Sequence, residues 1–470
     1  MPCDPPGTSP LLSSRVVPPR APAESSTCPK CSNAPPSDEK KTMTAPHVSF
    51  RHPRLTGLIT AGIAVVAAVA AQVASHRPVF HHSLLLNVTE GEPLAQLIRA
   101  EDPAFRFTTG ADHYDGVYLW AMARDPFASG QAHELIDLAA YRYGHPFYSW
   151  MASLLAFGQP RLLSTAFWIL GLASIGTAAY LVSRLAASHG CSPWWGLLVA
   201  ASPGLLFSST TDLTEPFQLA LVTGLLLAWR ARVHPTWIAV LCMVICLSKE
   251  QLVLVPAALG IHLLSLMVRD RRLYWRRALA LATGPIALAA WLPFIRSHFS
   301  ADQLTYDDGN IDMPVIGWLR IFDLAGSMRV SGDMNSSQIG STAVPALIAL
   351  AVLMLAAAVI GLIRRDELGL IVATQAVLVS CLDWRTLFFP HEMYRIPAVP
   401  ALLAALLVII HLTTGCRATS TGADDRRPAG ADAGGLRDGD AADVGVSTRT
   451  EDHRQQPARA VTEESSAPAP

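Results

Sequence analysis

The chain has 470 residues, of which 51 % are hydrophobic and only 16 % charged, with a positive mean hydropathy. That apolar share exceeds the share of an ordinary soluble domain once the polar ends are set aside. A net charge of −1 without a basic cluster outside short connections excludes a nucleic-acid binder that works through a cationic surface.

Residues 1–54 are Pro- and Ser-rich without apolar periodicity, so they cannot bury enough surface to offset backbone ordering and are expected to be a disordered cytoplasmic segment. Within them Cys28-Pro-Lys-Cys31 has the spacing of half a zinc knuckle, yet no second Cys or His pair follows at the usual interval to close a four-ligand site. The remaining cysteines fall in or beside apolar runs, or in the polar ends, which argues against a disulfide scaffold. Met43 and a short basic lead precede the run Leu55–Ser75 and offer an alternative start. This run is longer than a typical signal core and is expected to be an uncleaved anchor.

After a long segment, 76–162, charges bracket nine further apolar runs: 163–183, 193–211, 216–229, 235–248, 252–268, 278–295, 341–363, 368–382 and 396–416. With the anchor they predict ten spans and an all-α polytopic membrane protein whose domain covers 55–415. With both termini cytoplasmic, the short inner connections receive Arg184, Arg230 and Arg232, the five arginines of 269–277, Arg364 and Arg365, and Arg417. Every inner connection then satisfies the positive-inside rule, and 76–162 and 296–340 become outer loops. The apolar stretch 145–157 would invert this scheme if it crossed the membrane. It is therefore expected to be an outer interfacial or re-entrant helix, with Tyr148 and Trp150 at the headgroup boundary. Residues 416–470 carry few large apolar side chains and are expected to form a disordered cytoplasmic tail.

Three runs, 216–229, 235–248 and 368–382, supply only 14, 14 and 15 uncharged residues, roughly 21–23 Å at 1.5 Å per residue. A hydrocarbon core needs ~30 Å. Glu215, Lys249, Glu250 and Asp383, at the outer ends of these runs, are thus drawn below headgroup level, where an ionisable side chain is costly and by default functional. The alternative is that Lys249 and Glu250 pair with Glu215 and only staple helices. Lys249 is the sole lysine after Lys41, and a compact ammonium suits a point contact with phosphate.

The first outer segment interleaves acids and aromatics: Asp112, Tyr114-Asp115-Gly116, Tyr118, Trp120, Asp125-Pro126-Phe127, and Tyr141-Arg142-Tyr143 leading to His145-Pro146. A carboxylate beside aromatic faces suits a general base acting on a sugar hydroxyl, since the rings exclude water and pack on pyranoses. The competing reading makes Asp112 or Asp115 the cap of a helix starting near Gly116. For Asp112 the two readings stand level. Lys249, Arg385 and Arg395 are the outer-side cations able to stabilise a departing phosphate.

Those strings, with Asp212-Leu-Thr214-Glu215-Pro216 and Ser248-Lys249-Glu250, resemble the GT-C superfamily of polyprenyl-phosphate-dependent glycosyltransferases of bacterial membranes. The likeness covers residues 110–160 and 205–255, with 383–395 a weaker third patch. It implies a multi-span fold, a site at the outer membrane face, a lipid-linked monosaccharide donor, a glycan, lipid or protein acceptor, and inversion at the anomeric carbon. It also implies Asp115 as the acid–base residue with Asp112 as companion, and Glu215, Glu250, Arg142 and His145 in support. Asp112 and Asp115 are three apart, not two, so a metal-binding Asp pair is not expected and no cofactor is called for. A secondary transporter or a non-catalytic membrane scaffold are the rival readings; a transporter would set its charges near the midplane of two related halves.

Overall fold

The computed structural model of the chain describes residues 52–109, 114–304, 310–331, 334–388 and 390–424. The Cys28–Cys31 pair, Asp112 and most of the two polar ends lie outside them. Among the described residues no strand forms; two isolated bridges, Thr89 with Thr108 and Ile311 with Leu382, are the only β pairing.

The first apolar run is α1 (Pro53–Ser75). The segment that follows folds into short helices rather than extended loop: α2 (Pro93–Glu101), α3 (Gly116–Arg124), α4 (Ala139–Arg142) and α5 (Phe147–Leu155). They share a hydrophobic core of their own, in which Leu86, Leu94, Ile98, Trp120 and Tyr143 are fully buried. Helix α5 has nine residues, ~14 Å at 1.5 Å per residue, too short to cross a bilayer. Its Tyr148 is not at a boundary surface as expected. It is completely buried, its ring centroid 5.7 Å from that of Phe167 and 5.4 Å from that of Phe217.

Helix α6 (Leu163–Ser188) packs along α1. The two are tied to the next segment by Gln72, whose Nε2 donates to the Ser209 carbonyl at 2.8 Å and whose Oε1 accepts from Trp168 at 3.1 Å. A satisfied amide of this kind is how helices associate where no hydrophobic drive exists between them. The run 193–211, expected as one span, is broken instead: a 3₁₀ turn at Pro193–Leu197, then α7 (Leu198–Ala201) and α8 (Pro203–Thr210). Pro203 has no N–H to continue the preceding turn, and the Ser202 hydroxyl accepts from the Leu205 N–H to open a new helix.

The remaining bundle consists of α9 (Glu215–Arg230), α10 (Pro235–Ser248), α11 (Leu254–Asp270), α12 (Trp275–Arg296), α13 (Ala301–Leu304), α14 (Ile316–Ser331), α15 (Met334–Arg364), α16 (Glu367–Ser380), α17 (Trp384–Phe388), α18 (Pro390–Arg395) and α19 (Ala398–Asp424). Residues 296–340, expected as an outer loop, carry α13, α14 and the start of α15. Helix α19 runs on past the boundary that composition set at residue 416.

Among the described residues five helical segments are long and apolar enough to cross a membrane: Pro53–Ser75, Pro160–Ser188, Glu250–Asp270, Trp275–Arg296 and Val344–Arg364. Shorter apolar helices stand at Pro235–Ser248, Glu367–Ser380 and Ala398–Thr414. Large apolar side chains such as Leu58, Val66, Leu264, Leu279, Val352 and Leu355 are exposed on their outer faces. In water so wide an apolar belt would drive aggregation, whereas lipid solvates it. The chain is a helical membrane protein.

Two glycines set the backbone around the charged centre described next. A Cβ on Gly116 would lie 2.6 Å from the Leu86 carbonyl oxygen, so only glycine lets the start of α3 press against residues 82–88. A Cβ on Gly204 would come within 1.9 Å of the Tyr394 carbonyl oxygen, so only glycine lets α8 meet α18.

Candidate active site

Helices α3, α4 and α18, the start of α9, the ends of α10 and α16, and residues 249–251 and 310–311 enclose a cavity of about 280 Å³. Seven of the nine residues singled out from the sequence line it: Asp115, Arg142, His145, Glu215, Lys249, Glu250 and Arg395. Asp112 lies outside the described residues. Arg385 is not brought in. It is exposed on α17, where the Asp383 carboxylate accepts its backbone N–H at 2.9 Å. Asp383 is thus the N-cap of a short helix, a structural role that also explains its burial.

Asp115 occupies the N-cap position of α3 but makes no capping bond there. Its Oδ1 accepts from Arg142 Nη1 at 3.0 Å and its Oδ2 from Arg395 Nη1 at 2.9 Å. Burial would push this carboxyl up, but the Arg395 and Arg142 guanidiniums and the Lys249 ammonium outweigh it and hold it well below the usual carboxylate range. With 33 % of its side chain exposed, the ionised group remains open to the cavity.

Arg395 is the hub. Its Nη1 also donates to the Tyr114 hydroxyl at 2.7 Å, its Nη2 lies 3.2 Å from Glu392 Oε2, and its Nε lies 3.3 Å from Glu215 Oε1. Tyr114 donates in turn to Glu392 Oε1. Arg142, besides its bond to Asp115, reaches Asp137 Oδ1 at 3.3 Å and lies 3.2 Å above the centre of the Tyr118 ring. A planar guanidinium can satisfy several acceptors and an aromatic face at once, which an ammonium cannot.

On the opposite wall His145 Nδ1 lies 3.1 Å from Glu250 Oε2, and the Tyr141 hydroxyl donates to Glu250 Oε1 at 3.4 Å. Burial first, and then the Lys249 charge, lower the His145 pKa against the opposing pull of Glu250. The alternative, in which Lys249 and Glu250 pair with Glu215, takes another form: Glu215 lies against Arg395 and Glu250 against His145, while the Glu250 charge still acts on Lys249. Lys249 consequently has no carboxylate within ion-pair distance among the described residues. Its Nζ sits 5.8 Å from the centre of the Tyr141 ring. Burial disfavours this ammonium, but Glu250 and Tyr141 outweigh that and hold its pKa above the ordinary lysine value.

Sequence reasoning passed over Glu392, Tyr114 as a hydrogen-bonding group, and Asn310. Glu392 and Arg395 stand three apart on one helix face, a spacing that pairs opposite charges. Asn310 is held by its own carbonyl, which accepts from the Asp383 N–H at 3.0 Å beside the Ile311–Leu382 bridge. Two further motif residues prove architectural. Asp125 accepts from the Ser129 and Gly130 amides at 2.8 and 2.9 Å and from His133, and Tyr143 is buried with its hydroxyl directed at the Ala121 carbonyl. Among the described residues no three His, Cys, Asp or Glu side chains gather to hold a metal ion.

The fold and this cavity define a class, a polytopic helical membrane protein with a charged, aromatic-lined chamber at one end of its bundle. Comparison with protein-family models, curated proteins and solved structures finds no match to the chain.

Proposed function

We propose that the chain is an inverting membrane glycosyltransferase that moves a monosaccharide from a polyprenyl-phosphate donor to a hydroxyl of a cell-envelope acceptor. The observation that carries the proposal is the Asp115 cavity. In one small chamber it combines an accessible ionised carboxylate, an ammonium with no carboxylate within ion-pair distance among the described residues, two guanidiniums, and the Tyr118 and Tyr141 rings. In the reaction the acceptor oxygen bonds to the anomeric carbon while its proton passes to Asp115. The bond from that carbon to the phosphate oxygen breaks, and its electron pair leaves on the phosphate, whose charge Lys249 and Arg395 stabilise. A carboxylate clamped by two arginines is a weak base, so the donor phosphate also acts on the base itself. By drawing Arg395 toward the phosphate oxygens it loosens the clamp and raises the basicity of Asp115. A carrier would set such charges near the midplane; here they gather at the ends of α9, α10 and α16.

Ten crossings complete the proposal: α1, α6, the broken 193–211 segment, α9, α10, α11, α12, α15, α16 and α19. Both termini are cytoplasmic and the Asp115 cavity opens at the outer face, because the arginine-rich ends 184, 230–232, 269–277 and 364–365 all lie at the other end of the bundle. A cysteine placed at Glu90 should react with an impermeant maleimide in intact cells and one at Arg271 should not; the reverse pattern overturns the orientation.

The activity test uses the purified chain with polyprenyl-phosphate donors carrying labelled hexoses or pentoses, and membrane extracts as acceptor. Transfer from at least one donor is expected. Lys249→Ala should weaken donor use by ~10²–10³, by analogy with the loss of one oxyanion contact. Lack of transfer from every donor, or full donor use by Lys249→Ala, removes the proposal.

A further inference from the structure

A second cavity, of about 1010 Å³, lies at the other end of the bundle from the Asp115 chamber. Helix α9 shows the relation directly, since it begins with Glu215 in the one cavity and ends with Arg230 in the other. The wall is formed by the ends of α6, α9 and α11 and the starts of α1, α12 and α16.

Five arginines line it: Arg184, Arg230, Arg232, Arg269 and Arg277. Two are neutralised, Arg230 by Glu367 and Arg269 by Asp270 at 3.0 Å. The other three have no carboxylate within ion-pair distance among the described residues. Arg277 only faces the Trp229 ring, 5.2 Å from its centre. Arg184 is the telling one. It is half-buried one turn before the end of α6, between the fully buried Ser183 and Leu185, and no hydrogen bond or ion pair meets its guanidinium among the described residues. Partial burial of an uncompensated cation is costly, whereas an arginine serving only the charge bias of a membrane protein can stand in water, as exposed Arg271 and Arg272 do. Leu227, Leu263 and Leu266 complete the lining with an apolar wall.

We propose that this cavity binds a phosphate anion, with Arg184, Arg232 and Arg277 as its ligands. The shared chemistry is a phosphate oxygen cluster on guanidinium forks. Its source is either the headgroup of an anionic phospholipid, which basic pockets between helices accommodate, or a soluble phosphate. The site is separate from glycosyl transfer and stands whether or not that reading holds.

The test is lipid retention by the full chain in neutral detergent, read by native mass spectrometry during titration with phosphatidylglycerol and, in parallel, phosphatidylcholine. One tight phosphatidylglycerol adduct is expected, with phosphatidylcholine not retained. The Arg184→Gln, Arg232→Gln, Arg277→Gln triple variant should weaken it by roughly a hundredfold, about fivefold for each cation removed. Arg271→Gln with Arg272→Gln, on the same face but outside the cavity, should change it less than about threefold, an exposed charge contributing little. Displacement of the adduct by inorganic phosphate assigns the site to a soluble phosphate; persistence of the adduct assigns it to the headgroup. Equal retention of the two lipids, or equal losses in the two variants, overturns the proposal. If the triple variant is not monodisperse, Arg232→Gln alone decides, because that residue is exposed: a loss of about fivefold supports the site and no loss refutes it.

Discussion

Asp115→Asn should abolish detectable transfer while leaving the protein at near-normal abundance. The amide keeps the size and hydrogen-bonding reach of the carboxylate but cannot take a proton, and general-base contributions are typically ~10²–10⁴-fold. Abundance should hold because neither clamp is stranded: Arg142 retains Asp137, and Arg395 retains Glu215 and Glu392. The pH profile separates catalysis from architecture. With its carboxyl held well below the usual range, Asp115 stays ionised and should impose no acid limb near neutrality. Arg142→Gln takes away one of the cations that hold it there and should move the acid limb to higher pH. Retention of more than about a tenth of wild-type turnover in Asp115→Asn, far short of the usual general-base contribution, would reassign the base to Asp112 or Glu250.

Most of this site could be read from short strings, because its residues had to be unusual where they stand. Asp115, Arg142 and His145 lie within about thirty residues of one another among aromatics, and Glu215, Lys249 and Glu250 are charges at the ends of short apolar runs. A charge in such a place is costly enough to signal its purpose. The pairing was not legible. Arg395 meets Asp115 across 280 residues of chain, and nothing local tells it apart from Arg385, which stands exposed on α17 outside the cavity. Glu392 was missed for the same reason, since an acid three residues from an arginine reads as a solvated helix face until α18 is seen to dock on α8.

The fold divides along similar lines. Apolar length located the long helices, but hydropathy does not distinguish a lipid-facing surface from a protein-facing one. Tyr148 therefore looked like a boundary aromatic and is in fact buried against Phe167 and Phe217. Hydropathy also ran through Ser202-Pro203 as though the helix were continuous, although a proline without a donor and a hydroxyl ready to cap mark a restart. That break matters for the site, because it frees α8 to bring Gly204 against the backbone of α18, and α18 carries both Glu392 and Arg395.

The largest loss of stability is expected from Arg395→Gln. Only 11 % of this side chain is exposed, and its guanidinium stands between Asp115, Glu215 and Glu392 at 2.9, 3.3 and 3.2 Å. Removing one partner of a buried ion pair typically costs ~3–5 kcal/mol, and here three carboxylates would be left facing one another. The variant should melt far below the wild type in detergent without substrate and should show no transfer. Arg395→Lys keeps the charge but loses the fork that serves Asp115, Glu215 and Glu392 together, and should fall between the two. The dependence on pH should also weaken. In the wild type the Asp115 carboxyl is depressed by its arginines, so its contribution is present above the unfolded value and fades as pH falls. In Arg395→Gln the first of the cations that depress this carboxyl is gone, so that acid-labile contribution should shrink. A melting temperature for Arg395→Gln within experimental error of the wild type, or a variant that loses stability on acidification as steeply as the wild type, would show that the guanidinium does not hold these three helices together.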